Sequence, residues 1–298
     1  MGLIASLCVA LAGCESLSIM KAVTPTGGVA ITTDAPYGSD PRQKLDVYAP
    51  ERPSDTRRPV VVFFYGGSWQ SGEKALYRFI GAALARRGFV AIVPDYRLYP
   101  QVRWPAFLQD NAKAVRWVHD HAAEFGGDPD RVFLMGHSAG AYNAAELTFD
   151  RRWLREVGMD PNRDLRGMIG LAGPYDFLPL QDPKLKIIFG PPAQRPDTQP
   201  INHVDGRAPP VLLIQGLADK VVDPGNGARL AARIRAAGGQ AQVIDYPRVG
   251  HVALVESILA PLRFLAPALK DTMVFLEANA SGPPPAPSLA AAPTGLPK

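Results

Sequence analysis

The chain has 298 residues, 47% of them hydrophobic, and a formal net charge of +4 at pH 7. Length and apolar content suit one α/β domain with a large core and exclude a wholly disordered or fibrous chain. The positive charge is spread over scattered Arg and Lys, which argues against a nucleic-acid partner, and past the N-terminus no uncharged apolar run reaches the roughly 18 residues of a membrane span.

At the N-terminus, MGLIASLCVALAGC is a short apolar run closing in small residues, the composition of a secretory signal. Its last four residues, Leu11-Ala12-Gly13-Cys14, resemble the lipobox of bacterial lipoproteins. That resemblance implies cleavage before Cys14, lipidation of its thiol, residues 15–27 as a tether, and the bacterial cell envelope as the location. The n-region carries no Lys or Arg. The competing reading is an apolar helix packed on the domain of a cytoplasmic protein. Cys8 and Cys14 are the two cysteines of the chain, so the body holds no disulfide, thiolate nucleophile or cysteine zinc site.

Residues 28–277 alternate short β-branched runs with helical stretches. Two less apolar runs, Val29–Thr32 and Leu45–Tyr48, suit antiparallel edge strands. Then follow near-continuous apolar runs at Val60–Tyr65, Phe89–Val93, Val132–Met135, Met168–Leu171, Val211–Gln215 and Gln242–Tyr246, as expected of parallel strands covered on both faces. Between them, Leu76, Phe79, Ile80, Ala83 and Leu84 recur at helical spacing before Gly88. A second stripe runs from Leu108 to Ala122, and a third helix from Gly225 to Ala237. The alternation predicts an α/β fold: a mostly parallel sheet of about eight strands with helices on both faces and ligands at the carboxyl ends of the strands. The Pro-rich stretch from Gly173 to Pro210 reads as a long loop, and residues 278–298 as a disordered Pro/Ala-rich tail.

The strongest chemical signal is Gly136-His137-Ser138-Ala139-Gly140, which follows the strand RVFLM and precedes the helical stretch AYNAAELTF. This is G-x-S-x-G in its strand–turn–helix setting, where a turn too tight for side chains holds a serine hydroxyl above the sheet. Ser138 is the expected nucleophile, and the N–H of Ala139, at the helix start, faces the future oxyanion. A serine hydroxyl needs a base. His137 is expected to point away from the site. His119 and His121, about 200° apart on one helix, cannot share a metal, and His203 sits in the Pro-rich stretch without a motif. His251 follows the last strand, where the order Ser, acid, His requires the base. The acid is expected after VLLIQG, where Asp219 is favoured; Asp223, before Pro224, is the competitor and reads better as a turn or helix cap. No metal or cofactor is called for.

After VVVFF comes Tyr65-Gly66-Gly67-Ser68-Trp69. Gly67 and Gly72 have the spacing of a phosphate loop, but Glu73 stands where its Lys is needed. Together with DYRLYP, PAF, GGDPDRVFLMGHSAG and GLADKVV, the loop resembles the esterase branch of the α/β-hydrolases that holds hormone-sensitive-lipase-like, bacterial feruloyl-esterase-like (BD-FAE) and kynurenine-formamidase enzymes. The resemblance covers residues 40–270. It implies the α/β-hydrolase fold, an oxyanion hole from the backbone of Gly67 and Ser68 with Ala139, and cleavage of a small-molecule carboxylic ester through an acyl-enzyme on Ser138. Tyr65 departs from the branch's His in this loop, and its hydroxyl is expected to brace the loop instead. Asp95 and Arg97 read as a structural ion pair, and Tyr65, Trp69, Tyr175 and Phe177 as possible pocket walls, with Ile187, Ile188 and Phe189 nearby. Arylformamidase or peptidase chemistry on the same residues, and a lipid-anchored binding protein without activity, are the alternatives. Oligomeric state is not legible.

Overall fold

In the computed structural model, residues 24–281 are described. Eight strands form one sheet: β1 (Val29–Pro36), β2 (Lys44–Pro50), β3 (Arg58–Phe64), β4 (Val90–Pro94), β5 (Gly127–His137), β6 (Gly167–Leu171), β7 (Val211–Gly216) and β8 (Ala241–Tyr246). Their order is β1-β2-β4-β3-β5-β6-β7-β8. β1 pairs β2, and β2 pairs β4, antiparallel; every later pairing is parallel. The strand composition follows from position. β4, β6 and β7 are buried at every residue, as covered parallel strands must be. β1 and β8 lie at the two edges and mix exposed with buried positions.

The helices are α1 (Arg78–Ala85), α2 (Ala106–His121), α3 (Ala139–Phe149), α4 (Arg151–Arg155), α5 (Pro161–Asp164), α6 (Pro183–Ile188), α7 (Gly225–Ala236), α8 (His251–Glu256) and α9 (Ala268–Ala280). α3 is buried along its whole length against β5 and β6. Its polar residues are therefore drawn into internal bonds. Thr148 Oγ1 donates to the Ala144 carbonyl, and Glu146 accepts from Trp153 Nε1.

Several features differ from the sequence expectation. The first helix begins as a 3₁₀ turn, Lys74–Tyr77, whose Lys74 Nζ reaches inward to Asp46 at 2.6 Å and Asp34 at 2.9 Å. The stretch 173–210 is not simply a loop; it holds α6 and two 3₁₀ turns, Pro192–Thr198 and Pro200–His203, with prolines at their first turns, where a missing N–H costs nothing. α8 and α9 were not read from the sequence, and α9 runs to Ala280, into the expected tail. Finally, Asp95 and Arg97 do not pair with each other. Arg97 makes a fork with Asp110, while Asp95 accepts from the Tyr65 hydroxyl and the Lys74 N–H. Cys14, residues 15–23 of the tether and residues 282–298 lie outside the described residues. No helix of the described residues is long and apolar enough to cross a membrane.

Candidate active site

The sheet register brings the site together. β3, β5, β6 and β7 are parallel neighbours, so the loops after them open at one end. Ser138 stands at the tip of β5, in the left-handed region at φ 55° and ψ −123°, a conformation that costs on the order of 1–3 kcal/mol and is held by its surroundings. A Cβ at Gly136 would lie 2.2 Å from the Gly140 carbonyl oxygen, so the elbow closes only without one. The Ser138 N–H donates to the Leu171 carbonyl, pinning the turn to the end of β6.

His251 and Asp219 arrive from the two neighbouring loops, which are laced by Leu217 N–H to the Tyr246 carbonyl and Ala218 N–H to the Val249 carbonyl. Ser138 Oγ lies 2.8 Å from His251 Nε2, and His251 Nδ1 lies 2.7 Å from Asp219 Oδ2. A carboxylate can only accept, so Nδ1 carries the imidazole proton and Nε2 is left to accept from the serine hydroxyl. The other Asp219 oxygen accepts from the N–H groups of Val221 and Val222 at 2.8 and 3.0 Å, and Gln215 Nε2 approaches Oδ2 at 3.2 Å. Burial alone would raise this carboxyl's pKa; the His251 imidazole and the two N–H groups outweigh it and hold it below the usual carboxylate value. Asp223 is not in the line. It is exposed, accepts from the Gly225 N–H and pairs with Arg229, a turn residue ahead of α7.

The loop after β3 packs directly on the nucleophile. A Cβ at Gly66 would stand 2.9 Å from that of Ser138. Gly67 has φ +128°, and Ser68 and Trp69 also take positive φ, so the loop turns its backbone sharply here. Among the described residues the N–H groups of Gly67 and Ser68 donate to no protein acceptor, and Ala139 is the first residue of α3, where an N–H has no intrahelical partner. These are the three donors that the sequence marked for an oxyanion.

Of the four expected pocket residues, two lie elsewhere. Tyr65 is fully buried behind the loop, stacked between Tyr77 and Tyr96; its hydroxyl donates to Asp95 at 2.8 Å and accepts from Arg42 at 2.8 Å. Tyr175 is buried with its ring folded over Gly170 and Gly173, neither of which has room for a Cβ beside it. Trp69 and Phe177 do meet, with ring centroids 6.3 Å apart, in a cluster with Phe107, Tyr142 and Phe189. Trp69 is itself nearly buried and donates from Nε1 to Asn143 on α3 at 2.9 Å, whereas Phe177 remains half-buried. Ile188 and Phe189 are buried, and Ile187 is exposed.

His137 does not point away. Its Nε2 lies 3.1 Å from the main-chain oxygen of His251, and the two rings are 4.8 Å apart. A carbonyl only accepts, so His137 donates. Burial first, and the neighbouring His251 second, push its pKa down to about 3, so the ring is neutral. No local pattern signals this contact, which joins residues 114 apart in the chain.

His119 and His121 lie on the surface beside Asp120 and Glu124. Among the described residues one set, Glu146, Asp150 and His203, has ligand atoms within 4.8 Å of one another. The Arg152 guanidinium, 2.5 Å from Asp150, already supplies the countercharge to that carboxylate.

An eight-stranded sheet in this order, with a serine–histidine–aspartate line at the strand ends, defines an α/β-hydrolase fold. The chain belongs to the BD-FAE family, whose model matches residues 45–234. It is 32% identical over 240 residues to a probable isoprenylcysteine alpha-carbonyl methylesterase of Arabidopsis thaliana, an alignment covering 73% of this chain and 50% of that protein. To the esterase LipC of Mycobacterium tuberculosis it is 30% identical over 233 residues, 72% of this chain and 58% of that one. The chain thus spans about half to three-fifths of the length of these curated relatives. The crystal structure of esterase B from Lactobacillus rhamnosis is similar in fold, with a TM-score of 0.72 at 23% identity, covering 93% of this chain and 98% of that one.

Proposed function

We propose that the protein is a serine carboxylesterase that cleaves small to medium carboxylic esters through an acyl-enzyme on Ser138. The observation that carries the reading is the unbroken line Ser138 Oγ–His251 Nε2, 2.8 Å, and His251 Nδ1–Asp219 Oδ2, 2.7 Å. As Ser138 attacks the ester carbonyl, its proton passes to His251 Nε2, and Asp219 stabilises the imidazolium. The new oxyanion is met by the N–H groups of Gly67, Ser68 and Ala139, each such donor contributing about 3–4 kcal/mol in related sites. His251 then protonates the departing alcohol, and water, deprotonated by the same imidazole, releases the acid. The names of the relatives, methylesterase and esterase, support ester over amide chemistry. The aromatic cluster around Trp69 fills space beside the loop and supports short acyl chains over long ones.

A panel of p-nitrophenyl acetate, butyrate and palmitate, an N-formyl arylamine and a peptide p-nitroanilide tests this. Turnover of the two short esters is expected, lost in Ser138→Ala. Preference for the formyl amide or the anilide would move the chemistry to an arylformamidase or peptidase, and no turnover of any would favour a binding protein. For location, we propose a lipid-anchored protein of the bacterial cell envelope, on the Leu11–Cys14 motif. Mass spectrometry of the native N-terminus is expected to show a lipid-modified Cys14; an unmodified Met1 would contradict it.

A further inference from the structure

We infer, on the esterase reading of the site, that Asn143 is a positioning residue that sets the spacing between the two halves of the oxyanion hole. The three donors come from two separate elements: Gly67 and Ser68 from the loop after β3, and Ala139 from the start of α3. An oxyanion is held only where N–H groups from both elements converge on it within hydrogen-bond reach. The loop must therefore be fixed against the helix.

Within itself the loop is already tied. The Gly67 carbonyl accepts from the N–H groups of Gln70 and Ser71 at 3.0 and 3.1 Å. The Ser68 N–H belongs to the same planar peptide and points the opposite way, out of that turn. Ser68 at φ 54° and Trp69 at φ 58° continue the sharp course. A bulky residue keeps such a conformation only where its surroundings enforce it. At Trp69 they do. Its carbonyl accepts from the Tyr99 N–H at 2.8 Å, and its ring meets Tyr142 and Phe189 edge to face, with centroids 5.0 and 4.8 Å away. Apolar packing is non-directional; the bond that fixes the direction of the indole is the one from its Nε1 to Asn143 Oδ1, 2.9 Å. Among the described residues this is the one hydrogen bond between residues 65–72 and α3. Asn143 is fully buried, where an unbonded amide is costly. An indole N–H only donates, so the amide must turn its oxygen toward it. Asn143 stands four residues after Ala139, on the same face of α3. The bond thus ties the loop that carries two donors to the helical turn that carries the third. The Asn143 amide also neighbours the Tyr96 hydroxyl, which donates to the Tyr65 carbonyl at 2.7 Å, where the loop begins.

The test is a double-mutant cycle on the full chain. Trp69→Phe keeps a ring and removes the donor; Asn143→Leu keeps the bulk and removes the acceptor. Each single variant is expected to lower kcat for p-nitrophenyl butyrate about tenfold with KM nearly unchanged, less than the roughly hundredfold or more that follows outright loss of an oxyanion donor. Affinity for a trifluoromethyl ketone, whose adduct with Ser138 places an oxyanion in the hole, is expected to fall by the same factor as kcat/KM. The double variant leaves no polar group unpaired across this contact, so it serves on its own where a single variant fails to fold. Its loss is expected to equal that of one single variant rather than the product of the two. Wild-type kcat in the double variant, losses that multiply, or a raised KM with kcat unchanged would overturn the inference, the last assigning Trp69 to substrate binding. So would a fall in kcat that leaves the affinity for the ketone intact. A wild type that neither turns over the ester nor binds the ketone would sink the esterase reading and this role of Asn143 together, whereas an active wild type with indifferent variants would sink the role of Asn143 alone.

Discussion

His137 holds the catalytic base from behind. Its Nε2–H meets the His251 carbonyl at the first turn of α8, and its Nδ1 is buried without a partner. The ring thereby fixes where the His251 backbone sits and, through it, the reach of the imidazole to Ser138. It is a positioning residue. In His137→Phe, kcat for p-nitrophenyl butyrate is expected to fall at least tenfold with KM nearly unchanged, and His137→Gln, which keeps an N–H donor of similar reach, to recover part of the loss. Equal kcat in wild type and His137→Phe would contradict the role. Ser138, Asp219 and His251 were legible in the sequence because each follows a strand in the order the fold demands. His137 was not, because the geometry of a turn says where a side chain starts, not which loop 114 residues later closes over it. Tyr65 was legible as the residue that braces the loop but not as fully buried: the Asp95, Arg42 and Tyr96 contacts that enclose it come from distant segments.

At the scale of elements, the loop after β3 depends on what lies beneath it. Tyr65 joins it to Arg42, ahead of β2, and to Asp95, at the end of β4, while the Tyr96 hydroxyl donates to the Tyr65 carbonyl. Burial raises the pKa of Asp95, opposed by the Tyr65 hydroxyl and the Lys74 N–H, so removing the phenol strips a buried carboxyl of a main partner. Tyr65→Phe is expected to cost about 1–3 kcal/mol of stability and to lower kcat several-fold by loosening the Gly67 and Ser68 amides. Denaturant unfolding and initial rates check both, and a variant equal to wild type in each would refute the brace. The central strands and α2 and α7 were legible because apolar periodicity is strong in long buried elements. α6 and the 3₁₀ turns of 173–210 were not, since each is too short to show a period and their prolines read as breakers.

For the molecule as a whole, one fully buried carboxyl lies away from the chemistry. Glu146 is fully enclosed on α3; burial raises its pKa from 4.5 to about 8, with the Trp153 N–H acting against the shift. The folded state therefore binds this proton more tightly than the unfolded one. The stability it contributes is fully present below pH 4.5 and is lost as pH rises toward 8. His137 has the opposite sign: its folded value of about 3 lies below the ordinary 6.5, so its contribution is present above 6.5 and lost as pH falls toward 3. Glu146→Gln is expected to flatten the decline of Tm between pH 5 and pH 8; an unchanged slope would show that the carboxyl is already ionised in the fold.

Ser138, activated by His251 and Asp219, is the proposed nucleophile. The most direct test is mass mapping after reaction with a fluorophosphonate, in wild type and in Asp219→Asn. One stoichiometric adduct is expected on the peptide carrying Ser138, formed about 10³–10⁴-fold more slowly in Asp219→Asn, where the imidazole loses its orienting carboxylate. No adduct, an adduct on another residue, or equal rates in the two proteins would contradict it.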